Sequence, residues 1–222
     1  MEVSRKEIYR YLGCRGNVPD EATVRLTESC IAELEKEITP LSLYREYPLS
    51  VDGEDIGCPV LHTSSASLGK NLKDCTRILL FAATLGSAPD RLIQKYSRLQ
   101  VSRAVTIQAA SAAMIEAWCN EECTRLKTIY EKQGLYLRPR FSPGYGDFSL
   151  ECQPMILGPL EAGKRIGITL TDSLLMMPSK SVSAVMGAGT APLGCVPEGC
   201  EICTKKNCAY RRSAAADEPQ PD

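Results

Sequence analysis

From Val101 to Gln133 the chain contains neither proline nor glycine, and alanine recurs throughout. The run lacks the two residues that most disfavour a helix interior, so it predicts the longest helix of the molecule, with a kink or split near its start left open. Gly134 ends it. Immediately beyond lies the opposite kind of sequence, Arg138–Asp147, RPRFSPGYGD. Pro139 and Pro143 fix φ and carry no N–H, so no regular helix passes through them. Gly144 and Gly146 admit positive φ and close backbone approach. The segment therefore reads as a rigid, mostly extended loop. It holds Arg140 and Tyr145 at fixed positions, with a guanidinium fork suited to a carboxylate. An ordinary surface turn is the plainer reading of the same residues.

The rest of the chain alternates helical and strand-like patterns. Helices are expected over Glu2–Leu12, closed by Gly13 and Gly16, and over Pro19–Thr39. In the second, Asp20 serves as cap and Val24, Ile31, Leu34 and Ile38 recur at helical spacing. Strands are expected at Leu41–Val51, Gly57–Leu61 and the apolar Thr76–Thr84, with a short helix Leu68–Asp74 among them. After Gly86 comes a helix Pro89–Leu99. Beyond the arginine loop, Glu151–Leu160 reads as helix, and Leu170–Met177 and Ser181–Met186 as strands around Pro178. The mixture predicts an α+β domain on an antiparallel or mixed sheet. Residues 1–186 form that domain, 187–212 a cysteine-rich segment, and 213–222 a tail too polar and proline-rich to fold.

Hydrophobic residues make up 44% and charged residues 24% of the 222, ordinary values for a globular protein. A net charge of −1 gives no global attraction to nucleic acid or to an acidic membrane. The longest apolar run, Ile78–Ala83, is too short to span a bilayer, and the N-terminal residues are charged rather than apolar. The expectation is a cytoplasmic protein. His62 is the one histidine, so no His-rich metal site can be built, and it reads as structural. Gly187 and Gly189 lack the third glycine and the following helix of a dinucleotide loop.

Four of the eleven cysteines cluster as C-x4-C-x2-C-x4-C: Cys195, Cys200, Cys203 and Cys208. Glycine and proline between them allow tight turns, and nearby Lys205, Lys206, Arg211 and Arg212 offset thiolate charge. Four converging thiolates suit zinc or a [4Fe–4S] cluster, while two disulfides or unliganded thiols are the alternatives. On the long helix, Glu116 stands among Ala112, Ala113, Ile115, Ala117 and Trp118. A carboxylate in such surroundings needs a partner unless it faces water.

Two blocks, R-x-S-P-G-Y at Arg140–Tyr145 and L-T-[acid]-S-x-x-M-x-P-x-x-S-V-S at Leu170–Ser183, together with Ile115–Trp118 upstream, resemble the activation domain of cobalamin-dependent methionine synthase. The resemblance covers roughly Leu79–Ala184 and stops before the cysteine cluster. It implies long helices packed on a curved sheet. It also implies a domain that binds S-adenosylmethionine and offers its methyl to cobalt while one electron is supplied. Carried onto this chain, Arg140 would hold the donor's carboxylate and Glu116 its amino or sulfonium charge. The backbone at Ser142 and Gly144 would meet adenine or amino-acid groups, and Tyr145, the residue assigned to catalysis, would face the corrin. The resemblance does not extend to a cobalamin module, so the cobalamin is expected on a partner. That partner would be a methionine synthase or another corrinoid protein, with flavodoxin or ferredoxin as the expected electron donor and a [4Fe–4S] cluster preferred at the cysteines for relay. The alternatives are a non-catalytic metal-binding docking or assembly factor for a corrinoid protein, or an activator of another corrinoid methyltransferase. Three features depart from the pattern. Phe141 follows Arg140 where proline is usual, the N-terminal acidic donor contact has no counterpart, and the cysteine cluster replaces a tyrosine-bearing segment.

Overall fold

A computed structural model describes residues 1–14 and 18–191. Gly16, the four clustered cysteines and the tail 213–222 lie outside the described residues. The chain runs α1 (Arg5–Tyr11), α2 (Glu21–Glu37), β1 (Leu41–Pro48), β2 (Ser50–Asp52), β3 (Asp55–Cys58), β4 (Leu61–Ser64), α3 (Ala66–Asn71) and β5 (Cys75–Thr84). It continues with α4 (Ala88–Leu99), α5 (Val101–Glu131), β6 (Tyr136–Leu137), α6 (Gln153–Leu157), α7 (Ala162–Ile166), β7 (Thr169–Leu170), β8 (Met176–Met177) and β9 (Ser181–Gly189).

The central sheet has the order β1-β5-β9-β6, and every pairing in it is antiparallel. β5 is apolar on both faces because both are covered, as its continuous hydrophobic sequence demands. Strand alternation divides it. Leu79, Phe81 and Ala83 join Ala184, Met186 and Ala188 of β9 under the long helices, in a core with Ile31, Leu34, Ile107, Ala110 and Met114. Ile78, Leu80, Ala82 and Val185 face the other way, onto Leu61, Leu68, Leu72, Phe148, Ile156 and Leu160. The sheet is thus the middle of three layers, an α+β architecture.

α5 runs unbroken from Val101, and the break falls at Gln100, where extended backbone separates it from α4. Small buried residues on its first half, Ala104, Ala109, Ala110 and Ala113, let it lie close to its neighbours. Asp20 caps α2 by accepting from Thr23 N at 2.7 Å.

Several expected elements differ. Leu41–Val51 is not one strand: β1 belongs to the central sheet, while β2 begins a second, three-stranded sheet with β3 and β4. Gly57–Leu61 is the turn region of the β3–β4 hairpin, since Pro59 cannot donate to a ladder and sits at the bend. Leu170–Met177 is a small hairpin rather than a strand, turning over Thr171–Leu175 with Leu174 at φ 61. Thr171 holds that turn by accepting from Leu175 N through its hydroxyl at 3.1 Å. β9 runs three residues past the expected Met186, because Gly187 and Gly189 let Cys75 and Asp74 pack where a Cβ would stand.

Candidate functional site

The two halves of the arginine loop do different work. After β6, Arg138 N donates to Gly187 O, and Phe141 and Val185 exchange both ladder bonds. Two residues, Pro139 and Arg140, therefore oppose the single residue Met186, which is a β-bulge. Pro139 fits there because a bulged residue has no ladder bond to give. The extra residue reverses the alternation. Arg138 turns toward the face of Leu72 and Cys75, whereas Arg140, only two residues on, turns toward α5.

On that side Arg140 Nη2 donates to Glu116 Oε2 at 3.2 Å and to Asn120 Oδ1 at 2.8 Å. Glu116 and Asn120 are one turn apart on α5, so they present both acceptors to one nitrogen. Among the described residues, nothing takes a hydrogen bond from Arg140 Nε or Nη1. The guanidinium is sheltered, with 17% of its side-chain surface exposed, while Glu116 keeps 40%. Burial works against the Arg140 charge, Cys119 and Cys123 could favour it only as thiolates, and Glu116 beside it holds the cation. Burial pushes the Cys119 thiol up to about 12 and the Cys123 thiol upward too. Both are neutral at physiological pH, leaving Glu116 as the counter-charge. Cys123 Sγ also meets Met186 Sδ at 3.7 Å, closing the floor beneath Arg140 with sulfur.

The next four residues turn rather than extend. Tyr145 N donates to Ser142 O at 3.1 Å, with Pro143 and Gly144 between and Gly144 at φ 90. This is the pattern of a type II turn, for which Pro-Gly is the favoured central pair. Gly144 N donates to Phe148 O at 2.8 Å. The amide expected to face a ligand is thus spent inside the loop, and the contribution of Gly144 is the turn itself. Ser142 is half-buried and Tyr145 is 65% exposed.

Asp147 anchors the end of the loop. Its carboxylate accepts from Ser65 Oγ at 2.6 Å, Ala66 N at 2.7 Å and Ser67 N at 3.1 Å, at the start of α3. The Ser65 hydroxyl, then the Ser67 and Ala66 amides, hold its carboxyl well below the usual carboxylate range. Gly146 is needed for this approach, since a Cβ there would lie 2.8 Å from Ser67 Oγ. Sequence reasoning missed Asp147 and Asn120 as participants. The signal for Asp147 was the Ser65–Ser67 cluster far upstream, and that for Asn120 its four-residue step from Glu116.

The second block meets the first through Val185, two residues beyond S-V-S. Within it, Asp90 of α4 accepts from Ser179 N at 2.8 Å and from Ser179 Oγ, and Ser181 Oγ bonds Thr84 Oγ1 at 2.9 Å. The block thus fixes β9, against which the arginine loop is registered.

No protein-family model matches the chain, and no curated protein does. Among solved structures, the crystal structure of the MetH reactivation domain bound to AdoHcy superposes with a TM-score of 0.60 at 19% identity. The match covers 81% of this chain and 69% of that one. The chain has the fold of the MetH reactivation domain. Among the described residues no helix is long and apolar enough to cross a membrane, and no three metal-binding side chains converge.

Proposed function

We propose that this chain is an S-adenosylmethionine-binding activation subunit, a methyltransferase-class protein that acts with a separate cobalamin-dependent methionine synthase. The observation that carries the reading is the sheltered Arg140, tied by one nitrogen to Glu116 and Asn120, on a fold shared with a domain that was crystallised with AdoHcy.

The residues fit the donor chemically. Its amino-acid end is a zwitterion, and the protein offers the complementary pair, a guanidinium with unbonded N–H groups and a half-exposed carboxylate. A partly exposed ion pair is worth at most about 1 kcal/mol, so opening it to admit the ligand costs little. Arg140 would then take the carboxylate in a charge-assisted bond and Glu116 the ammonium. Ser142 and the Gly144 turn would bound the nucleoside side, and exposed Tyr145 would face the corrin carried by the partner. The donor would supply the methyl group on its positively charged sulfur and leave as S-adenosylhomocysteine, and the partner's one-electron-reduced cobalt would supply the nucleophile that accepts it. This chain's own contribution is alignment rather than acid–base chemistry.

Beyond the described residues, Cys195, Cys200, Cys203 and Cys208 are proposed to hold a [4Fe–4S] cluster or zinc, with flavodoxin or ferredoxin as the external reductant and the cytoplasm as the setting. Iron, sulfide and zinc analysis after anaerobic purification decides between them. About four irons and four sulfides per chain mark the cluster, and stoichiometric zinc a structural clasp. The reading as a whole is tested by titrating S-adenosylmethionine into the anaerobically purified protein in a calorimeter. Saturable one-site binding supports it. Absence of binding, with retained binding to a corrinoid protein, favours instead a non-catalytic docking or assembly factor.

A further inference from the structure

We infer that Asn120 is the positioning residue of the donor site: its neutral amide keeps the Arg140 guanidinium aimed when Glu116 is drawn away by a ligand's ammonium group. The inference rests on the proposed donor binding and names what makes that site selective for an intact amino-acid end.

The two bonds to Arg140 Nη2 are not equivalent. Asn120 is the closer acceptor, at 2.8 Å against 3.2 Å for Glu116. An arginine donor requires the oxygen of the amide, so Asn120 presents Oδ1 inward. Glu116 is the charged member, with 40% of its side-chain surface open to solvent, and so can be recruited by a cation. Once it is recruited, Arg140 would keep only the Asn120 bond among these two. Without that bond a long side chain above the sulfur floor of Cys119 and Cys123 regains its rotamer freedom, and ordering it again opposes ligand binding. Neutrality matters as much as geometry. A carboxylate at position 120 would remain as a competitor for the same guanidinium, whereas an amide holds one nitrogen and leaves Nε and Nη1 for the ligand's carboxylate.

The test uses the whole protein, with S-adenosylhomocysteine and 5′-methylthioadenosine as probes; the second keeps the nucleoside but lacks the amino acid. Asn120 is exposed on the surface of α5, so the variants should fold, and circular dichroism is the control for that. Asn120→Ala is expected to weaken S-adenosylhomocysteine about tenfold or somewhat more, the lower end of the scale of one hydrogen bond to a charged group. Asn120→Asp is expected to weaken it as well, through competition for Arg140. Neither substitution should change the 5′-methylthioadenosine affinity, and Asn120→Ala should cost nothing further in an Arg140→Ala background. Equal S-adenosylhomocysteine affinity in Asn120→Ala, equal losses for both probes, or additivity with Arg140→Ala each overturn the inference while leaving donor binding intact. A wild-type protein that binds neither probe overturns the donor reading and this inference with it.

Discussion

Arg138 and Arg140 stand two residues apart just beyond β6 and serve opposite faces of the sheet. Arg138 is 2% exposed, and its Nη1 and Nη2 donate to the carbonyls of Ala191 and Lys73. It ties the end of β9 to the turn before β5 and is enclosed by Leu72, Cys75 and Gly187. Arg140 has a carboxylate beside it, keeps solvent contact and leaves two nitrogens unbonded. Arg138 is bonded to backbone through two nitrogens, with Nε buried and unpartnered among the described residues, whereas Arg140 is bonded through one and meets solvent. The difference arises from one bulged proline, which turns two arginines of like spacing to unlike surroundings. Residue type alone does not assign a role here; register does.

That contrast can be broken from the structural side first. Arg138→Met strips two buried carbonyls of their donor, and removing a charged, enclosed partner is expected to cost on the order of 3 kcal/mol of stability. Chemical denaturation measures it. The matching Arg140→Met substitution should cost less than about 1 kcal/mol, because its partners remain open to water. Equal losses at the two positions would erase the distinction.

A second substitution sharpens the role of the turn. Gly144 sits at φ 90, so Gly144→Val forces a β-branched residue into left-handed backbone, at a cost of about 1–2 kcal/mol. Helix content by circular dichroism should stay near that of the wild type while donor binding is lost. A variant that binds normally would reduce the loop to a connector.

The smallest effect expected is the pH response of the loop anchor. Asp147 has its folded-state pKa depressed by Ser65, Ser67 and Ala66. Its contribution is therefore fully present above the unfolded carboxylate value of about 3.9 and fades only as pH falls toward the lower folded value. The Ala66 and Ser67 amide proton shifts, followed by NMR, should be constant from neutral pH down to about 5 and move only in the acid range below about 4. Asp147→Asn should remove that acid transition. A transition near neutrality would contradict the assignment.

Much of the fold was legible because its signals are local. The helix through Val101–Glu131 lacks breakers, β5 is continuously apolar, and Asp20 announces a cap. The elements that misled were those governed by partners far away in sequence. Leu41–Val51 reads as one strand until the pairing of β1 with β5 and of β2 with β3 divides it. Leu170–Met177 has strand composition, yet Thr171 and the left-handed Leu174 fold it into a hairpin. At the site, the resemblance carried by R-x-S-P-G-Y and Ile115–Trp118 singled out Arg140 and Glu116, and the two form an ion pair with each other. Asn120 and Asp147 were harder to read because their partners, Arg140 and the start of α3, lie 20 and about 80 residues distant.

The account stands on Arg140 as the donor's carboxylate partner. Calorimetric titration of S-adenosylhomocysteine into the wild-type protein and into Arg140→Ala tests this most directly. The account predicts saturable binding to the wild type and an affinity lower by about 1.5–3 kcal/mol in the variant, the scale of a charged hydrogen bond. Unchanged affinity in Arg140→Ala would contradict it.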